Sequence, residues 1–327
     1  MKAIVYTKYG PPDVLQLKEV EKPAPNDNEV LVKVHAASAN PLDWHSLRGK
    51  PFLVRLTSGL RKPKNTRLGA DIAGRVEAVG STVRQFQPGD DVFGMSAGSF
   101  AEYVCASEDA LALKPANISF EEAAATPVVA FTALQGLRDT GQIQAGQKVL
   151  INGASGGVGT FAVQIAKSYG TEVTGVCSTR NMDMVRSIGA DHVIDYTQED
   201  FTRNGQGYDL IYDAVGNRSA SAYKRALNLN GICVVAGFTT MAHMLFQVML
   251  LGSWASKTGS KKIGGMGVAN SNQKDLLFIR ELLEAGKVVP VIDRRYPLNE
   301  TAEAIRYLEA GHARGKVVII VEHNNKT

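Results

Sequence analysis

Cysteine is scarce in this sequence. Only Cys105, Cys177 and Cys233 occur among 327 residues, far apart and with no Cys-x-x-Cys pair. That excludes a disulfide-stapled secreted scaffold and suits a reducing compartment. A long apolar run is also missing. The most hydrophobic stretch, residues 241–251, is interrupted by His243 and Gln247 and falls short of the ~20 residues that a membrane helix needs. It reads as a core helix or as the lining of an apolar pocket. No charge sign dominates, with 36 Lys and Arg against 32 Asp and Glu and a formal net charge of +4. The densest basic stretch, residues 48–67, contains Arg55, Arg61, Lys62 and Lys64 without the interleaved aromatics of a nucleic-acid surface. It reads as a solvated loop, with a site for an anionic cofactor or substrate as the other reading. Residues 1–6 have no signal-peptide organisation and read as a strand. The expectation is a cytoplasmic protein with no membrane span and no nucleic-acid partner.

What is present is the composition of an enzyme-sized globular protein, 44% hydrophobic and 21% charged. Its length exceeds what one core ordinarily supports and predicts two domains. Up to about residue 117 the chain is rich in short β patterns, clearest at 2–6, 29–35 and 73–79. Pro11-Pro12, Pro88-Gly89-Asp90 and Gly98-Ser99 punctuate them. Ser119, with Glu122 three residues later, has the spacing of a capping box and opens an alanine-rich helix. Strands then recur at 148–152, 172–178, 192–196, 209–213 and 231–237, mostly with helical stretches between them. This alternation predicts a parallel sheet covered on both faces. After Gly265 follow an amphipathic helix at 273–285, a second near 301–310 and a strand at 316–321. Periodicity leaves open which domain this tail joins.

Val149-Leu150-Ile151 is a short apolar strand, and residues 158–167 form an unbroken helical stretch. Between them stands Asn152-Gly153-Ala154-Ser155-Gly156-Gly157-Val158-Gly159. Glycines there let the backbone turn tightly and approach a pyrophosphate, whose charge sits at the helix N-terminus. The strand before, the helix after and a further strand about fifteen residues on mark a dinucleotide site. NAD sites usually place a carboxylate at the tip of that second strand. Here the tip reads Cys177-Ser178-Thr179-Arg180-Asn181, two hydroxyls and a guanidinium suited to a phosphate, so NADP(H) is the expected cofactor. The other reading is that Ser178 or Thr179 only caps the next helix and Arg180 points to water. Tyr196, ending the third strand, is either a neighbour of the adenosine phosphate or a packing residue.

Asn40-Pro41-Leu42-Asp43, Gly69-Ala70-Asp71-Ile72-Ala73-Gly74-Arg75-Val76 and Gly89-Asp90-Asp91-Val92-Phe93-Gly94 are followed by Phe131-Thr132-Ala133, the glycine turn, Gly189-Ala190-Asp191 and Gly315-Lys316-Val317-Val318. In this order the chain resembles, over essentially its whole length, the medium-chain dehydrogenase/reductases, in particular their zinc-free quinone oxidoreductase branch. The resemblance implies an α/β chain with a discontinuous GroES-like, mostly β catalytic domain (1–120 and 266–327) and a doubly wound Rossmann domain (121–265). It also implies a homodimer joined edge to edge near residues 261–268. By position, Asn40, Thr132, Gly153, Gly156, Gly157, Val158, Gly159, Ser178, Arg180, Tyr196, Val215, Phe238 and Lys316 fall where relatives touch the cofactor.

Zinc-dependent relatives have an early Cys, a Gly-His-Glu triplet and a later Cys. Here Asn40 and Asp43, then Gly69-Ala70-Asp71, and a position near Val128 take those places, so no metal is expected. His35, His45 and Asp71 have no spacing that would make a substitute set. Lacking a Lewis acid, the chemistry expected is hydride transfer from NADPH to an apolar electrophile, namely a quinone, enone or enal, whose own oxygen takes up the charge. Asn40 could donate to substrate or cofactor, and Asp43 could orient a neighbour, yet a turn held by Asx bonds fits both equally. Relatives often carry a Tyr after the Arg-x-Gly that follows this loop, whereas Arg48-Gly49-Lys50 leads into Pro51-Phe52. No catalytic acid is therefore assigned. Asp43, Trp44, Phe52, Phe238 and the 241–254 stretch are candidates for an apolar substrate pocket, with core packing the alternative for most. An alcohol dehydrogenase with an atypical metal site, or a non-catalytic NADPH-binding protein, are the rival readings.

Overall fold

The computed structural model describes residues 1–52, 54–238 and 260–323. The apolar stretch 241–254 lies outside the described residues. The chain divides into two compact units, one of residues 1–128, 271–285 and 290–327, the other of residues 129–270 and 286–289.

The first unit begins with β1 (Lys2–Val5), β2 (Gln16–Glu19), β3 (Glu29–Ala39), α1 (Pro41–Arg48) and α2 (Val54–Ser58). It continues with β4 (Asp71–Val79), β5 (Asp91–Met95), β6 (Tyr103–Ser107), β7 (Leu111–Leu113) and α3 (Phe120–Ala124). Ser119 caps α3 as its spacing predicts: its backbone N–H donates to Glu122 Oε2 at 2.8 Å, and its Oγ accepts from Glu122 N at 3.2 Å. The second unit holds most of α4 (Pro127–Gln135), then β8 (Lys148–Asn152), α5 (Gly157–Ser168), β9 (Glu172–Cys177), α6 (Met182–Ser187) and β10 (His192–Asp195). β11 (Tyr208–Asp213), α7 (Ala220–Ala226), β12 (Leu227–Val235) and β13 (Lys262–Gly265) complete its sheet. The chain then returns to the first unit through α8 (Gln273–Glu284), β14 (Ile292–Pro297), α9 (Thr301–Glu309) and β15 (Lys316–Ile320).

The sheet of the first unit runs β14-β15-β3-β4-β5-β7, with β6 on the other half of β3. The long β3 makes this possible, because its Glu29–Lys33 half pairs with β6 and its Ala36–Ala39 half with β15. The tail therefore completes the first sheet. The boundaries differ from the sequence expectation of 120/121. The short α3 packs on β3, β4 and β5, so it stays with the first unit, and α8 joins that unit by packing against β7.

In the second unit all six strands are parallel, in the order β10-β9-β8-β11-β12-β13. Numbered from β8, that is the doubly wound order 3-2-1-4-5-6. β8 reads Lys-Val-Leu-Ile-Asn and is buried after its first residue, as a central parallel strand covered on both faces must be. α5 lies against β8 and β9 and buries Phe161, Ala162, Val163 and Ile165. Phe161 is fully buried. Phe161→Ala is expected to lower stability by ~3–5 kcal/mol, read as the denaturant midpoint of the purified protein. An unchanged midpoint would show that α5 is not anchored there.

Candidate active site

The glycine turn leaves β8 beside the point where strand order reverses, between β8 and β11, the usual crevice for a ligand in such sheets. Its shape needs glycine at two positions for different reasons. Gly153 has φ +81°, a left-handed conformation, and a Cβ there would meet Val215 Cγ2 at 2.7 Å. A Cβ on Gly159 would lie 2.0 Å from the Gly153 carbonyl oxygen, so only glycine lets the helix close on the turn. Gly156 caps the twelve-residue α5, and a Cβ there would meet nothing nearer than 3.5 Å. The first-turn N–H groups of Gly157, Val158 and Gly159 lie where helices lack internal partners, which makes them a ready anion cradle.

At the tip of β9, Asn181 Nδ2 donates to Ser155 Oγ of the turn (3.0 Å) and to Ser178 Oγ (3.2 Å). Both hydroxyls thereby accept, which leaves their own hydrogens available for a ligand. The buried Asn181 Oδ1 has no hydrogen-bond partner, so it is free to accept from a bound polar group or water. Thr179 is different. Its hydroxyl donates to Asp195 Oδ2, because the parallel register sets Asp195 opposite Cys177. The expectation that this tip is free of carboxylates is thus corrected: Asp195 enters from the neighbouring strand. The Thr179 hydroxyl, followed by Thr197, holds its carboxyl below the usual range. Of the predicted trio, Ser178 and the exposed Arg180 are not engaged by that carboxylate. Tyr196 stands beside them, its N–H on Cys177 O at 3.0 Å, its side chain largely exposed. Thr132, whose carbonyl accepts from Tyr212 Oη at 3.1 Å, Val215 and Phe238 belong to the same unit.

Asn40 and Lys316 lie in the first unit and meet each other. Ser38 is opposite Asp71, and Ala39 opposite Val317, in adjoining strand pairs. That register brings Lys316 Nζ to Asn40 Oδ1 (2.5 Å), Asp71 Oδ2 (3.2 Å) and Ala39 O (3.4 Å). Asp71 Oδ2 also accepts from Ser38 Oγ (2.6 Å) and Asn40 Nδ2 (2.8 Å), and Oδ1 from Val128 N (2.8 Å). The second Asn40 amide hydrogen goes to Ser38 O at 3.2 Å. The expected Asn40 donor to substrate or cofactor is therefore corrected: both amide hydrogens are engaged inside a buried network.

Asp43 takes up the structural alternative. Its Oδ2 accepts from Asn40 N (2.7 Å) and its Oδ1 from Gly69 N (2.9 Å), closing the start of α1. Burial pushes its carboxyl up to about 7, against the two backbone N–H groups. Asp43 also lines a cavity of about 540 Å³ in the first unit, with Tyr6, Leu42, Leu68 and Met95. Trp44 does not line it; the ring stacks on His45 at 3.6 Å and packs against the core. Phe52 is 62% exposed, and neither matches the predicted apolar pocket.

The chain matches the family model "Alcohol dehydrogenase GroES-like domain" over residues 26–116 and "Zinc-binding dehydrogenase" over residues 188–319. It is 36% identical to the 2-methylene-furan-3-one reductase of Solanum lycopersicum, over 98% of this chain and 79% of that protein. The chain belongs to the zinc-free quinone oxidoreductase branch of the medium-chain dehydrogenase/reductases. The NADPH-dependent alkenal/one oxidoreductase of Arabidopsis thaliana chloroplasts is likewise 36% identical, over 98% of this chain and 79% of that protein. Among solved structures, the quinone oxidoreductase from Coxiella burnetii matches with a TM-score of 0.85 and 34% identity, covering 98% of this chain and 99% of that one. The Escherichia coli quinone oxidoreductase complexed with NADPH matches with 0.81 and 26%, covering 98% and 100%.

One family model carries zinc in its name, and the residues here do not fit that ion. The carboxylate at the position in question, Asp71, already holds an ammonium and three further donors. His35 is turned to Phe120, with ring centroids 4.4 Å apart. Among the described residues no three His, Cys, Asp or Glu side chains gather as a metal site.

Asp43 gives the site a pH signature. Its folded value of about 7 lies above the ~3.9 of an unfolded aspartate. The folded state thus binds the proton more tightly. Its contribution is full below about pH 4 and is lost as pH rises to about 7. The unfolding free energy of the wild type relative to Asp43→Asn is expected to fall by a few kcal/mol between pH 4 and 8. A difference independent of pH would contradict this.

Proposed function

We propose that this protein is an NADPH-dependent reductase that transfers a hydride to a quinone or to the activated C=C bond of an enone or enal. The observation that carries the reading is the Gly153–Gly159 turn at the switch point of a doubly wound sheet, with Ser178 and Arg180 at the adjoining strand tip. Relatives named for NADPH, for alkenal/one substrates and for quinones support it.

When bound, NADPH supplies the hydride. The turn and the first N–H groups of α5 would hold the pyrophosphate, and Ser178 with Arg180 the 2′-phosphate. Thr132, Tyr196, Val215 and Phe238 would line the rest of that unit's share, whereas Lys316, expected at the cofactor, is buried and engaged within the first unit. Within the Asn40 network every hydrogen of the Lys316 ammonium and the Asn40 amide has an acceptor. The closing proton would come from outside this network, from water or from another side chain. An acceptor whose own conjugated oxygen takes up the charge needs no metal; a simple ketone or aldehyde, which would leave a localised alkoxide, gives no such relief.

The reading includes a homodimer in which β13, the terminal strand of the six-stranded sheet, pairs edge to edge with its copy. It also includes a reducing location, the cytoplasm, supported by three unpaired cysteines. No described helix is long and apolar enough to cross a membrane.

NADPH oxidation across a panel of quinones, enals and enones tests the reading. Turnover with at least one conjugated class is expected, and Arg180→Ala should raise the KM for NADPH about tenfold while leaving that for NADH nearly unchanged. NADPH binding without turnover on any member would mark a non-catalytic binding protein instead.

A further inference from the structure

The basic stretch at residues 48–67 plays no part in the chemistry above, and the structure gives two of its cations a definite place. Lys64 and Arg67 line the cavity of about 540 Å³ that Asp43 also lines. Arg67 is fixed from several sides. Its backbone bridges to Val5 of β1, its N–H donates to Asn65 Oδ1 at 3.0 Å, and its stem lies on Gly98. Lys64 is held through its backbone N–H on Ser58 O at 2.8 Å. The loop between them is pinned by Tyr6 N on Thr66 O at 2.9 Å. Neither cation forms an ion pair with an acidic side chain among the described residues.

The remaining wall divides by chemistry. Leu42, Leu68 and Met95 give it an apolar side, and Ser46, Ser58 and Ser96 add hydroxyls. The only carboxyl on the wall is Asp43, whose two oxygens are tied to backbone N–H groups. Its charge is weakened by burial at neutral pH. Lys64 and Arg67 are thus the cationic residues of a wall whose single carboxyl is already hydrogen-bonded.

We infer that this cavity selects conjugated acceptors that carry an oxyanion on an apolar tail, with Lys64 and Arg67 as the specificity-determining pair. The apolar wall takes the chain, and the guanidinium and ammonium take the charged end. The inference rests on the reductase reading for the identity of the reacting group, but not for the anion subsite itself.

Two measurements separate those layers. Calorimetric binding of a saturated straight-chain keto acid is compared with that of its methyl ester, which needs no turnover. The acid is expected to bind about tenfold more tightly, to lose that preference as ionic strength rises, and to lose it in Lys64→Gln/Arg67→Gln. Arg67→Lys, which keeps the charge, should retain most of it and guards against a folding artefact. Turnover is then compared for an enone ending in a carboxylate, its phosphate-ended analogue and its methyl ester. An acid-to-ester ratio of kcat/KM near ten that falls towards one in the double variant supports the inference, and the better of the two anions names the oxyanion. Equal binding and equal turnover of acid and ester overturn it while leaving the reductase standing. Preferential acid binding with no turnover of any enone or quinone leaves the subsite standing and overturns the reductase.

Discussion

One buried ion pair organises the first unit. Lys316 opens β15, Asp71 opens β4, and both side chains are almost completely buried where β3 ends. A charge in that position is tolerable only when paired and hydrogen-bonded, and the surrounding residues supply the bonds. Ser38 and Asn40 come from the end of β3 and the start of α1, and Val128 from the first turn of α4. Strands distant in sequence are thereby locked in one register. The same network engages both amide hydrogens of Asn40.

The second unit is organised around a glycine-rich turn at the start of α5. Backbone N–H groups, a left-handed glycine and a helix start are the features of the proposed pyrophosphate cradle. Asn181 links the turn to the strand tip by holding Ser155 and Ser178 together. Asp195 engages Thr179 and leaves Ser178 and Arg180 as the proposed contacts for the phosphate.

Much of this was legible from local pattern. The glycine turn has a period and a context that short-range sterics dictate, and the parallel strands announce themselves as β-branched runs between helices. The capping box at Ser119 is purely local and is present as spaced. What could not be read are contacts set by strand register. Asp195 follows Cys177 by eighteen positions, so a search confined to the tip of the second strand misses it. Parallel pairing of the second and third strands was the available signal. The Lys316–Asp71 contact joins residues 245 apart, and no periodicity shows it. Trp44 failed as a pocket residue because an aromatic on a short helix gains more by stacking and core packing than by facing a cavity. The domain boundary shifted for a similar reason, since a five-residue helix belongs to whichever sheet buries it.

The Lys316–Asp71 pair is the contact that holds the first unit together. Equilibrium unfolding of Lys316→Met measures this most directly. Removal of the ammonium leaves an uncompensated buried carboxylate, for which a loss of ~3–5 kcal/mol is expected, most of it recovered in Lys316→Met/Asp71→Asn. Wild-type stability in Lys316→Met alone would contradict it.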